Sequence, residues 1–150
     1  MPLATDIVKS DPTPVTEEKV YRWLPAILTP TKFQTHALCA IDTATGLFSP
    51  LTGASGVLFD GIVDEDLAVA RDPGPAFTQR ILVRKPGRIK VKILNPVVAA
   101  DLLKKVYVVP NDDSTVQLNV PVLGNNQTIG TIDTILGPNL VVIRPIYQTQ

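Results

Sequence analysis

One cysteine, one histidine and one tryptophan are all that this chain holds among its 150 residues. The single Cys39 excludes an internal disulfide, and a cysteine-built metal cluster would need further cysteines. His36 would have to serve any Ser-His-Asp or Cys-His arrangement, with Cys39 three positions along the chain. No G-x-S-x-G elbow and no cysteine-containing catalytic motif accompanies it, so Cys39 reads as a small buried hydrophobe. The glycines never fall as G-x-G-x-x-G or as a P-loop, so phosphate binding has no support. Aromatics are only 5%, too few for the exposed platform of a carbohydrate-binding module. A charge of one sign is missing too. Fourteen Lys and Arg cancel fourteen Asp and Glu, leaving no global field to draw nucleic acid or an acidic membrane. No apolar run approaches the roughly 18 residues needed to span a bilayer. The first residues, MPLATDIVKSD, lack a basic start followed by a long apolar run, so no signal peptide is expected. These absences predict a soluble protein with no enzymatic activity, no cofactor, and neither nucleic acid nor membrane as partner. Folding without disulfide staples suits a reducing cytoplasm.

What is present is a 45% apolar fraction drawn mostly from Val, Ile, Leu and Ala, with Thr recurring throughout. Branching at Cβ favours the pleated sheet over the helix. Fourteen prolines sit mostly where they would punctuate strands. The expected class is all-β: a small β-sandwich or partly closed β-barrel with one short helix and an extended N-terminal arm. Residues 1–18 are polar, carry Pro at three places and lack any period, which predicts a flexible arm. Residues 19–54 hold the strap KVYRWLPAILTPTKF, broken by Pro25 and Pro30, and the strand THALCAID with both faces covered. Residues 55–150 carry regular β grammar and predict a compact β domain, the whole being a single globular unit. Within it, FTQRILVRKPGRIKVKIL reads as a hairpin, with Lys85-Pro86-Gly87-Arg88 as a type II turn. PVVAADLLKK is the one plausible helix, and KVYVV, the loop PNDDS and TVQLNV make a second strand pair. Gly124-Asn125-Asn126 and Gly137-Pro138-Asn139 read as further turns.

TIGTIDTIL, residues 128–136, repeats Thr-Ile at a spacing of three, which matches neither the strand period of two nor the helical 3.6. Either the sheet is buried on both faces, or a β-bulge shifts the parity. A bulge at Gly130-Thr131 is favoured, returning Ile132 to the face of Ile129 with Thr134 and Leu136 following there.

The predicted hairpin carries Arg80, Arg84, Lys85, Arg88, Lys90 and Lys92 with no acidic residue between them. This is either a solvated face or a docking surface for an acidic partner. Asp60, Asp64, Glu65, Asp66 and Asp72 form an acidic counterpart without calcium-loop spacing. The segment from Asp64 to Asp66 reads as an exposed loop that could meet the basic hairpin of a neighbouring copy. Tyr21, Arg22 and Trp23 in the strap are further candidates, since aromatic anchors often dominate interfaces.

VLFDGIV, ILVRKPGRIKVKI, a short helical linker, KVYVVPNDDSTVQL, NNQTIGTIDTIL and a closing apolar strand follow one another in a succession that resembles the head decoration, or cement, proteins of tailed bacteriophages. In that family a strand of the type Val-Tyr precedes a turn and a polar strand. An Ile-Gly-Thr step then enters the penultimate strand, as Ile129-Gly130-Thr131 does here. The resemblance covers roughly residues 55–147. It implies a non-enzymatic virion protein, made in the host cytoplasm, that sits on the outer capsid surface as a homotrimer. Its partners would be the major capsid protein and its own copies, met through the arm and the loops at one end of the barrel. The alternatives are a tail-tube or baseplate subunit, which would assemble by itself into rings or tubes, and a trimeric β-barrel enzyme, which would need phosphate-binding and catalytic motifs.

Overall fold

A computed structural model describes residues 17–51, 56–69, 79–121 and 127–147. Residues 1–16 of the expected arm, Asp72 with its DPGP loop, and the turn at residues 124–126 lie outside the described residues. Twelve strands follow in order: β1 (Glu17–Trp23), β2 (Thr31–Phe33), β3 (Leu38–Asp42), β4 (Phe48–Pro50), β5 (Val57–Val63), β6 (Leu67–Val69), β7 (Arg80–Pro86), β8 (Ile89–Ile93), β9 (Lys105–Val109), β10 (Asp112–Gln117), β11 (Thr128–Gly137) and β12 (Leu140–Pro145). The all-β class follows from the β-branched content.

Among the described residues the strands form three hydrogen-bonded groups. An antiparallel sheet runs β1-β7-β5-β3-β4, a closed barrel runs β10-β8-β12-β11-β9, and β2 pairs with β6 as a ribbon. Within the barrel β8 and β10 are parallel, and the other described pairs are antiparallel. Alternate side chains of Ile89, Val91, Ile93, Val106, Val108, Val141 and Ile143 fill the barrel. Leu38, Ala40, Phe59 and Ile62 from the sheet join the same core, while Cys39, Val63, Ile81 and Val83 face a second core beneath the ribbon. Strand β3 therefore separates two cores, matching the coverage of both faces expected for THALCAID. Each fully buried Val, Leu or Ile contributes about 1.5–3 kcal/mol.

The hairpin and the helix differ from expectation. The arms of the predicted hairpin do not pair: β7 lies between β1 and β5, and β8 lies between β12 and β10. Lys85-Pro86-Gly87-Arg88 carries the chain from the sheet into the barrel. Alternation locates strands, but pairing follows the core that each apolar face can join, and Ile81 and Val83 join one core while Ile89, Val91 and Ile93 join the other. For the same reason β5 and β7 share a sheet with β1, β3 and β4. Glu17 and Glu18 pair with Pro86 and Lys85.

The expected helix is a single 3₁₀ turn, Ala99–Asp101. Val97 is drawn into the barrel core, the Asp101 carboxylate accepts the Val98 N–H, and Leu103 at φ 68° ends the turn. Ten residues are too few to hold a helix against those contacts.

Strand β11 resolves its period of three. Ile132 and Ile135, three apart, face Ile143 and Val141, two apart, because the register slips between Ile132 and Thr134. A second slip, against β9, falls between Thr128 and Gly130 and brings Ile129 to the core beside Ile132. The bulges therefore lie beside the expected Gly130-Thr131 step, and Thr134 and Leu136 point outward instead of into the core. Gly130 has a separate reason to be glycine, since a Cβ there would collide with the Arg144 carbonyl oxygen.

Candidate functional site

Strand β1 pairs along its whole length with β7 and forms one edge of the sheet. Alternation gives it two faces. Val20 packs against the ribbon-side core, and Arg22 on the same face reaches Asp60. Tyr21 (53% exposed) and Trp23 (39% exposed) point the other way. The Arg80 guanidinium lies over both rings, 4.3 Å from the centre of Tyr21 and 5.7 Å from that of Trp23. This arrangement restrains the rings while leaving them open to solvent, and cation–π contact of this kind is worth about 0.5–1 kcal/mol at exposed sites.

The basic residues grouped by the sequence are dispersed. Arg84 and Lys85 turn towards the acids of β5 and the turn beyond it: Arg84 Nε lies 3.5 Å from Asp64 and Lys85 Nζ lies 3.1 Å from Asp60. Arg88 pairs with Asp133 at 2.8 Å on the barrel, where Arg144 joins it at 3.2 Å. Lys90 and Lys92 lie on a solvated face, alternating with buried Ile89, Val91 and Ile93, and Arg80 is exposed as well.

The acidic segment is bound within its own chain. Asp64 also meets Lys19 at 3.2 Å, Glu65 accepts the Leu82 N–H, and Asp66 accepts both the N–H and the hydroxyl of Thr35. Those bonds from Thr35 hold the Asp66 carboxyl below the usual range. Asp60 and Asp64 thus meet basic side chains of β1 and β7 within the same molecule.

Asp60 forms the most buried charged centre. It occupies a bulge in β5, where Cys39 faces Gly61 and Ala40 faces Phe59. Gly61 has φ 148° and packs against the Arg84 carbonyl, a position that a side chain could not share. Arg22 donates to both Asp60 oxygens at 2.8 and 2.9 Å, which raises its own pKa further. Lys85 also lies against the ring of Tyr147, whose hydroxyl donates to the Pro86 carbonyl and whose ring stacks on Phe59. Asp60, Arg22 and Lys85 thereby clamp the sheet.

His36 and Cys39 do not combine. His36 is exposed beside a cavity of about 370 Å³, lined in part by Phe33, Phe48, Asp113 and Ser114. Cys39 is fully buried, and burial pushes its thiol pKa well up, which keeps it a neutral thiol.

One surface escaped the sequence reading. Val97, Val98, Ala99, Leu102, Ile135, Gly137 and Pro138 line an uncharged groove of about 490 Å³. Val98 (64%) and Leu103 (70%) are more exposed than either aromatic of β1, and Leu136 is half exposed. The signal lay in the doubled pairs Val97-Val98 and Leu102-Leu103, which were absorbed into an expected helix. Large apolar patches of this kind mark interaction sites.

Among the described residues, no group of three His, Cys, Asp or Glu could hold a metal ion, and no helix is long and apolar enough to cross a membrane. Comparison with protein-family models, with curated proteins and with solved structures found no match.

Proposed function

We propose that this protein is a non-enzymatic structural component of a phage virion that binds the outer surface of the assembled capsid as a homotrimer and stabilises it. One observation carries most of the weight: Tyr21, Arg80 and Trp23 stand together on the open flank of an edge strand, directly after residues 1–16. Tyr, Trp and Arg are the residue types enriched at interface hot spots. The order of segments that resembles head decoration proteins supports the same reading. A small body of packed strands is stiff, and a segment that orders on docking covers a large area at a cost in ordering entropy. Many copies on a symmetric lattice then combine individually weak contacts through avidity.

In this reading residues 1–30, anchored by Tyr21 and Trp23, lie across the capsid or a neighbouring subunit, with the major capsid protein as partner. The test mixes purified protein with immature and expanded capsids and images both. Selective decoration of the expanded shell is expected. Tyr21→Ala with Trp23→Ala should weaken occupancy at least about tenfold, because truncating a hot spot costs about 2 kcal/mol or more. Binding to neither shell, or undiminished occupancy by the double variant, sinks the proposal or its anchors respectively.

A further inference from the structure

We propose that the cavity beside Asp60 binds a small monocarboxylate with an apolar body, of the size of hexanoate. Arg22, Asp60 and Lys85 line this cavity of about 300 Å³ together with the apolar residues Ile41, Leu58 and Phe59.

Charge sets the ligand's head group. Two cations meet a single carboxylate here, with Arg22 Nε 2.8 Å and Lys85 Nζ 3.1 Å from the Asp60 oxygens. One positive charge is left over, on side chains only 26% and 21% exposed. Asp64 and Asp133 are also shared by two cations each, but there Lys19, Arg88 and Arg144 stand more than half exposed. Water solvates the surplus at those two sites. At Asp60 low-dielectric walls withhold that solvation and concentrate the field within the cavity. Glu18, opposite Lys85 in the β1–β7 register, is exposed and is the weakest of the charges acting on Arg22. The ring of Tyr147, 5.4 Å from Lys85 Nζ, attracts the ammonium without neutralising it. An anion in the cavity supplies the missing charge, and Arg and Lys donors suit a carboxylate.

The walls set the body. Ile41 and Leu58 stand opposite each other across β3 and β5, and both are half-buried. Neither offers a hydrogen-bonding side chain, so sulfate would lose water on that side without regaining partners. A hydrocarbon chain gains by leaving water at the same place. At about 30 Å³ for each water-sized group, the cavity has room for about ten non-hydrogen atoms, and hexanoate fits within that. The site rests on the clamp around Asp60 and is independent of the proposed role at a capsid.

The experiment titrates the whole chain with hexanoate, hexanamide and sulfate at constant ionic strength, by calorimetry and by thermal melting. Hexanoate should bind saturably and raise the melting temperature. Hexanamide has the shape without the charge, sulfate has the charge without the body, and each should bind at least about tenfold more weakly. Lys85→Met keeps the Arg22–Asp60 pair but removes the surplus charge, so hexanoate affinity should fall at least about tenfold. Ile41→Glu places a carboxylate on the wall and should abolish hexanoate binding while raising the melting temperature of the ligand-free protein. Absence of saturable hexanoate binding up to about 10 mM would overturn the proposal. Equal affinity for hexanamide would overturn the charged head group, and equal affinity for sulfate would overturn the apolar body. Hexanoate binding that survives both substitutions would place the ligand elsewhere and overturn the site. Should Lys85→Met fail to fold, the comparison of hexanoate with hexanamide on the unaltered protein still decides.

Discussion

Asp60, in the bulge of β5, and Cys39, on the strand opposite, illustrate opposite solutions to burial. Asp60 is met by the cationic side chains of Arg22 and Lys85, whereas Cys39 is held as a neutral thiol by desolvation. Asp60→Ala leaves two cations without their shared partner and should destabilise the fold by about 3–5 kcal/mol, measurable by urea denaturation. A loss under about 1 kcal/mol would show that water replaces the carboxylate. The Cys39 thiol should react with an aromatic disulfide reagent only as fast as the protein opens. Prompt reaction of the native protein would contradict its burial. Neither partner of Asp60 lies near it in sequence, so the chemistry of this centre was invisible in the local pattern VLFDGIV. The inertness of Cys39 was legible there, because a small apolar-like residue in THALCAID has few other uses.

Strand β11 makes a test at the scale of the element. Its bulges put Ile132 into the barrel and turn Leu136 outward. Ile132→Ala should cost about 2–5 kcal/mol, while Leu136→Ser should change stability by no more than about 0.5 kcal/mol. Comparable losses at the two sites would mean that the register is wrong. Asp133, at one of the slips, accepts hydrogen bonds from Arg88 and Arg144. The Arg88 hydrogen bond, with the charge of both arginines, holds the Asp133 carboxyl below its ordinary value. A carboxylate with a depressed folded-state pKa stabilises the fold fully above the unfolded value of about 3.9, and that stabilisation is lost as pH falls through the lower folded value. Stability should therefore decline below about pH 4, and Asp133→Asn should flatten that decline in pH-dependent denaturation. An identical acid profile for the variant would remove Asp133 from the account. The period of three announced an irregular strand, but the placement of each slip depends on β9 and β12, which no local pattern specifies.

For the whole molecule, the division between sheet and barrel at residues 86–88 decides which surfaces exist. Had β7 and β8 paired, six basic side chains would have shared one ribbon. Their separation leaves Arg84, Lys85 and Arg88 paired with acids, Arg80 over the aromatic rings of β1, and Lys90 and Lys92 on a separate open face. Charge is consequently a weak candidate for the docking force, and raising salt from 50 to 500 mM should change capsid occupancy by less than about threefold, since pairs already made within the chain need no partner. A loss of tenfold or more would restore the basic face as the docking surface. The aromatic flank of β1 takes its place as the proposed contact with a shell.

Composition by itself determined that this chain is built of strands, because β-branched residues and dispersed prolines leave few other choices. Alternation determined which side chains of β7 and β8 turn inward, and the doubled coverage of β3, because those patterns repeat within a few residues. Tertiary structure alone decided which strands pair, where the bulges fall, which charges neutralise each other and which apolar side chains are left outside. Each of those outcomes depends on groups tens of residues apart competing for the same partners, and a strand's own pattern specifies its face without specifying its neighbour.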